Sequence, residues 1–366
     1  MSKFLFIQIL IKLFVVAQNL WYTRILDSAN VSNLFLVLSS VVALNLILDF
    51  NSSIEINRAN ADDEKVFLVK SYLFVKGLVG FIAALLLFVY FRIYLEIDVL
   101  TSMVCFILPF DALIALMMTK FLSLHEIKLY HFFTILVSTL KILLPVLTFF
   151  LLESVSIGVL AASVLSCILI VRNIELRVGL SNLMPLHILL RSFGVGVMLN
   201  LVQRIDLFLI SATEVSWRDS FYVYNRFYEF GLFPISLIIG FKFRELNQSK
   251  EGIKYFQNYQ VLGFLVITIS AYILSIYLDE RIIFIFGIKY SLVLLGMYLF
   301  PVYSKSVLYS RNTLLILLSI ILLVRLTVER IFDFGIYLLL CTEMLLFLCL
   351  VIVAIPAINK NRFVNA

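Results

Sequence analysis

Residues 197–210 read VMLNLVQRIDLFLI, and an arginine and an aspartate, Arg204 and Asp206, stand inside an otherwise apolar run. The run belongs to a stretch, 188–211, long enough to cross a hydrocarbon core, which takes about 20 residues of helix. The surrounding chain says whether that is chance. Of its 366 residues 63% are hydrophobic and 14% charged, and the mean hydropathy is +1.07. A soluble domain carries about 25% charged and about 45–50% apolar residues. So much apolar side chain cannot be hidden in one globular core.

Hydropathy places candidate spans at 4–22, 32–52, 67–90, 98–119, 130–152, 154–171, 188–211, 219–240, 258–278, 285–304, 312–328 and 335–356. About twelve spans are therefore expected, and each should be a helix, because in lipid only helices and closed barrels satisfy the backbone. The runs are too long and too continuously apolar for barrel strands of about 10 alternating residues. The stretch LDERIIFIFGIKYS (278–291) is the hardest to divide; one span can end there in a short interfacial turn before the next begins. The expected fold is an all-α polytopic membrane protein, with a six-helix bundle over 1–180 and a second over 181–366. SANVS at 28–32 and SATEVS at 211–216 each precede a new span about half a chain apart, as parallel repeats would. No cleavable signal peptide is evident, since the first apolar stretch lacks a small-residue cleavage site and leads directly into further spans.

Loop charges set the orientation. If both termini are cytoplasmic, the inner side holds Lys3, Arg58, Lys65, Lys120, Lys128, Arg172, Arg177, Lys242, Arg244, Lys250, Lys254, Lys305, Arg311, Lys360 and Arg362. The outer side then holds Arg24, Arg92, Arg218, Arg281, Arg325 and Arg330. That bias is the positive-inside pattern. It also explains the net charge of +6 without calling on nucleic acid. Cys105, Cys167, Cys341 and Cys349 all lie in apolar runs, with no CxxC and no nearby histidine. They suit small core residues better than disulfides or metal ligands, and no metal is expected. Prolines inside spans, at 109, 145, 234 and 301, should bend helices or leave carbonyls free.

The membrane interior nevertheless carries charge. At about 1.5 Å per residue from each span centre, Lys12, Lys76, Lys141, Asp111 and Glu343 fall near the midplane. Arg204, Asp206, Arg226 and Glu229 fall at or somewhat outward of the middle of spans seven and eight. A charge at the bilayer centre costs about 2.5–3.5 kcal/mol on insertion scales, so it faces a cavity or a partner. Arg204 and Asp206 are two apart and point different ways, whereas Arg226 and Glu229, three apart, share a face. Asp206 can therefore meet Arg226 across two helices and leave Arg204 to a cavity. The plain structural alternative is that all these groups are ion pairs or snorkelling lysines. It is strongest for Lys12, whose short span also bears Gln8, Gln18 and Asn19. If several of the cations Lys12, Lys76, Lys141, Arg204 and Arg226 line one wet chamber, the cargo is anionic, a phosphate or carboxylate. The acids Asp111, Asp206, Glu229 and Glu343 would then be pairing partners or proton carriers.

The chain resembles the polysaccharide flippases, the Wzx-type O-antigen translocases of the superfamily that also contains the multidrug and toxin extrusion (MATE) proteins and the lipid II flippase. The likeness lies in LVQRIDLFLISATEVSWRDSFYVYNRFYEFGLFPISLI (201–238), in FIFGIKYSLVLLGMYLF (284–300) and in LILDFNSSIEINRANADDEK (46–65). The family's glycines before the second span and at position 51, where Asn51 stands, are absent. The resemblance implies two six-helix bundles and the flipping of a polyprenyl-diphosphate-linked oligosaccharide across the inner membrane for surface polysaccharide assembly. Lipopolysaccharide O-antigen is one such polymer. The partners implied are the lipid-linked oligosaccharide, membrane lipids and other polysaccharide-assembly proteins. No cofactor is implied beyond a proton or sodium gradient acting on the four acids. The rivals are an O-antigen polymerase, which needs a large outer loop bearing arginines, and a small-molecule exporter, expected to carry more acids than bases. No outer loop is that large, and GxxxxGK[ST] does not occur, so the expectation is a carrier and not an enzyme.

Overall fold

The computed structural model describes residues 2–49, 52, 56, 61–172 and the isolated positions 222, 269, 272, 276, 319, 320 and 323. Among these residues the regular structure is helical throughout. The elements are α1 (Ser2–Ile25), α2 (Ser28–Ile47), α3 (Asp62–Val89), α4 (Val99–Met103), α5 (Ile107–Ser123), α6 (Ile127–Leu152) and α7 (Val155–Val171). A π-helical turn, Tyr90–Tyr94, extends α3, and a 3₁₀ turn, Val104–Phe106, joins α4 to α5. The six spans expected in this half each have their helix. Among the described residues four helical stretches are long and apolar enough to cross a membrane: Ser28–Asn45, Asp62–Tyr94, Val99–Ser123 and Ile127–Leu152; α7 is shorter.

Two boundaries differ from the hydropathy reading, for local reasons. α3 begins at Asp62, several residues before the apolar run, because Asp62, Asp63 and Glu64 occupy its first turn, where the helix dipole favours acids. α2 does not run on to residue 52. It stops at Ile47 with Leu48 as C-cap, and Asp49 opens a turn in which the Ser52 N–H donates to the Asp49 carbonyl at 2.7 Å. α2 and α4 carry conventional N-caps: Asp27 accepts from the Asn30 N–H at 2.7 Å, and Asp98 from the Thr101 N–H at 2.9 Å.

α5 is the centre of this bundle. It touches α2, α3, α6 and α7, and buries Leu108, Ala112, Leu116, Met117 and Phe121 among them. Two glycines set how closely helices approach. A Cβ on Gly80 of α3 would sit 3.0 Å from Pro109 Cα, and one on Gly158 of α7 would overlap Thr148 and Pro145 of α6. The outside is as apolar as the core: Phe81, Leu86 and Ile93 from α3 to its π turn, and Phe132, Leu143 and Leu147 on α6, are exposed. Such patches suit lipid, not water. Cys105 and Cys167 are buried free thiols, as their apolar setting suggests.

By backbone contacts the chain divides into two compact units, Met1–Leu201 with Leu207–Glu214, and Val202–Asp206 with Val215–Ala366. All seven helices above belong to the first. The boundary expected near residue 180, and spans seven to twelve with the 278–291 stretch, lie outside the described residues.

Candidate functional site

Lys76 and Lys141, the two lysines expected near mid-span in α3 and α6, both meet an aspartate on another segment. The Lys76 ammonium lies 2.9 Å from Asp49 Oδ1; its side chain is 1% exposed and that of Asp49 32%. Asp49 reaches it because α2 has ended. The break turns the carboxylate inward, where Oδ1 also accepts from the Ser52 hydroxyl at 2.9 Å. An unpaired ammonium in this position would be strongly destabilising, so the break in α2 and the lysine in α3 stabilise each other. Sequence reading singled out Lys76 but did not count Asp49 among its candidate acids. The available signal was an acid at the end of an apolar run.

Lys141 is held differently. Its ammonium donates to both oxygens of Asp111, each at 2.8 Å, and its side chain remains 38% exposed against 16% for Asp111. Asp111 stands at the middle of the Val99–Ser123 stretch. Pro145, one turn on from Lys141, has no N–H to give the Lys141 carbonyl. Gln18 of α1 fills that vacancy: its Nε2 donates to the carbonyls of Lys141 and Ile142 at 3.1 and 3.2 Å. The expectation that in-span prolines leave carbonyls free holds at Pro145, and the group that answers it is a glutamine noted earlier only as a polar residue of a short span. Trp21 packs edge-on to Phe149 one turn further out, at 5.3 Å between centroids. α1, α5 and α6 thus converge on the Lys141–Asp111 pair.

A third lysine, Lys65, is also buried. It bonds Asp62 at 2.8 Å and the Ser123 carbonyl at 3.1 Å, tying the start of α3 to the end of α5. Its partner carbonyl is the negative end of a helix, which favours a cation there. Among the described residues no group of acids, histidines and cysteines could hold a metal ion.

No family model matches the sequence, and no curated protein does. Solved structures do match the fold along nearly its whole length. The MATE multidrug transporter DinF-BH, solved in complex with a bound compound, superposes with a TM-score of 0.64 at 16% identity, covering 93% of this chain and 91% of that one. A MATE protein in complex with MaD5 gives 0.60 at 17% identity, over 96% and 92%. A MOP superfamily transporter from Pyrococcus furiosus, described as having a binding pocket of reverse polarity, gives 0.58 at 15% identity, over 99% and 94%. The chain has the MATE fold.

Of the site residues expected from the sequence, Lys76, Lys141 and Asp111 are described, and each is in an ion pair. Lys12 lies on α1, but its side chain is outside the described residues. Arg204, Asp206, Arg226, Glu229 and Glu343 also lie outside them, and with them the expected Asp206–Arg226 contact. Asp49 is a further acid that meets one of these cations at close range.

Proposed function

We propose that this protein is a carrier that flips a polyprenyl-diphosphate-linked oligosaccharide across the inner, plasma membrane, with both termini cytoplasmic. The observation that carries the reading is Lys141: a mid-span ammonium, anchored by Asp111 and still 38% exposed, in a fold shared with membrane transporters. An ammonium at that depth calls for a partner or a wet cavity, and one that stays open beside its partner can also meet an anion. Lys76, expected to be a cargo cation, is closed onto Asp49 and contributes to this reading less than Lys141 does. Lys12, Arg204 and Arg226 complete the cation set in this reading. Asp206, Glu229 and Glu343 join Asp111 as pairing or ion-coupled groups, driven by a proton or sodium gradient. The Pyrococcus relative, with its reversed pocket polarity, is a precedent for a carrier of this fold adapted to other charges. Polysaccharide-assembly proteins are the partners this role calls for.

A second reading, export of a small molecule, is favoured by the multidrug transporters among the structural neighbours and by the acids that pair with both described mid-span lysines. A strain lacking the gene separates the two. Flipping predicts that lipid-linked oligosaccharide accumulates on the cytoplasmic face, and that the wild-type gene, but not a Lys141→Ala variant that still inserts, clears it. Normal surface polysaccharide in the null strain, with lost resistance to small toxic molecules, supports export instead. Single unpolymerised units already on the outer face would point to a polymerase.

A further inference from the structure

α6 has two faces. Phe132 and Phe150 each stand half a turn round the helix from Lys141, at about 3.6 residues per turn, and both are exposed, as are Leu143 and Leu147. That side suits lipid. Lys141 is 38% exposed on the opposite side of α6, which buries Phe133, Val137 and Pro145. Its opening is therefore not the lipid-facing one.

α5 lies on the side where Lys141 opens. Two contacts fix the two helices together: the Lys141 ammonium on Asp111, at 2.8 Å, and, further along both, the Thr134 hydroxyl 4.0 Å from Met118 Sδ. Between Asp111 and Met118 stands Ala115, one turn from Asp111, and it alone among the described residues of α5 is exposed. One turn further on, the Thr119 hydroxyl donates to the Ala115 carbonyl at 3.1 Å in an exposed bond. In the other direction α5 is shut, because Ile107 and Leu108 are buried. Nor is the open face of α5 one made for lipid. α3, α6 and α7 each expose large apolar side chains, whereas among the described residues α5 exposes none.

We infer that this face of α5 is a water-filled passage by which an anionic head group reaches Lys141 from the inner side, and that Ala115 sets its width. The inner side is that of the proposed orientation. The head group's part rests on the reading of Lys141 as the cargo's cation; the presence of water does not. An alanine leaves space that a leucine or phenylalanine would fill. A diphosphate stripped of water pays heavily unless it is paired and hydrogen-bonded. Entry through water, past the Thr119 hydroxyl and onto the Lys141 ammonium, keeps it solvated or paired at each stage. With Ile107 and Leu108 closing the far end, the passage has one mouth and delivers cargo from one side only.

The test places single cysteines in the full chain, in inside-out and right-side-out membrane vesicles. An anionic methanethiosulfonate labels them, against the background of the chain's own four cysteines. In inside-out vesicles Ala115→Cys and Thr119→Cys should react at least about tenfold faster than Leu143→Cys, because an apolar setting holds a thiol from its reactive thiolate. In sealed right-side-out vesicles they should stay unlabelled. A short alkyl diphosphate should slow the reaction of Thr119→Cys, and should lose that effect when Lys141→Ala is added. Ala115→Phe should keep the wild-type thermal midpoint, since the position is exposed, yet fail to clear lipid-linked oligosaccharide from the null strain; Leu143→Phe should clear it. Labelling no faster than that of Leu143→Cys, labelling from the outside instead, no protection by diphosphate, or clearance by Ala115→Phe overturns the inference. Labelling that diphosphate slows, in a protein whose null strain shows no oligosaccharide block, would instead sink the flippase reading and leave the passage and its anion standing.

Discussion

Replacing Asp49 with alanine strands the Lys76 ammonium in a dry part of the bundle. Breaking one partner of a buried pair costs about 3–5 kcal/mol, because the remaining charge is uncompensated. Asp49→Ala should therefore lower the thermal midpoint of the purified protein sharply, and Asp49→Leu with Lys76→Met should recover most of the loss. A double variant no more stable than Asp49→Ala would mean that the pair matters for something other than neutralising Lys76. Lys141 belongs to another class: with 38% of its side chain open, its removal should cost much less stability and tell mainly on transport. Two lysines that look alike in the sequence, each near the middle of an apolar run, are separated by their surroundings. Sequence shows depth along a helix; it does not show which way the neighbouring helix breaks, and the Asp49 turn decides the fate of Lys76.

Helices α6 and α7 meet where Gly158 lets the backbone of α7 approach Pro145 and Thr148. A methyl group there has nowhere to go. Gly158→Ala should destabilise the bundle by about 1–3 kcal/mol, the usual cost of overpacking. Gly77 is its control. A Cβ on Gly77 meets nothing within 4 Å, so Gly77→Ala should be neutral or gain up to about 1 kcal/mol from helix propensity. Comparing the thermal midpoints of the two variants checks both; equal losses would contradict the close α6–α7 approach. At this scale much was legible beforehand. The six first-half spans follow from apolar runs of membrane length, and Pro145 announces a freed carbonyl by its chemistry alone. Helix ends were less legible, because acids extend α3 past its apolar run and a turn at Asp49 cuts α2 short within one. Gln18 as the donor to the freed carbonyls depends on α1 packing beside α6, a long-range contact that no local pattern encodes.

For the whole molecule, the proposed orientation rests on the loop charges. A cysteine at Glu153, in the turn between α6 and α7, belongs outside; one at Lys128, in the first turn of α6, belongs inside. A membrane-impermeant maleimide should label Glu153→Cys in intact cells and Lys128→Cys only after lysis. The reverse pattern would invert the proposed topology and the direction of transport. The all-helical fold with membrane-length helices was legible from hydropathy because the bilayer imposes one length on every span. Cargo was less legible, since formal charges do not reveal which cations are neutralised at close range, as Asp49 neutralises Lys76. Exposure of Lys141 therefore carries more weight than any count. Its role is tested most directly in proteoliposomes holding a fluorescent polyprenyl-diphosphate oligosaccharide, with a membrane-impermeant quencher reporting transfer between leaflets. Wild-type protein should expose the inner-leaflet probe to the quencher, and Lys141→Ala, equally well inserted, should not. Transfer at the wild-type rate by Lys141→Ala would contradict the account.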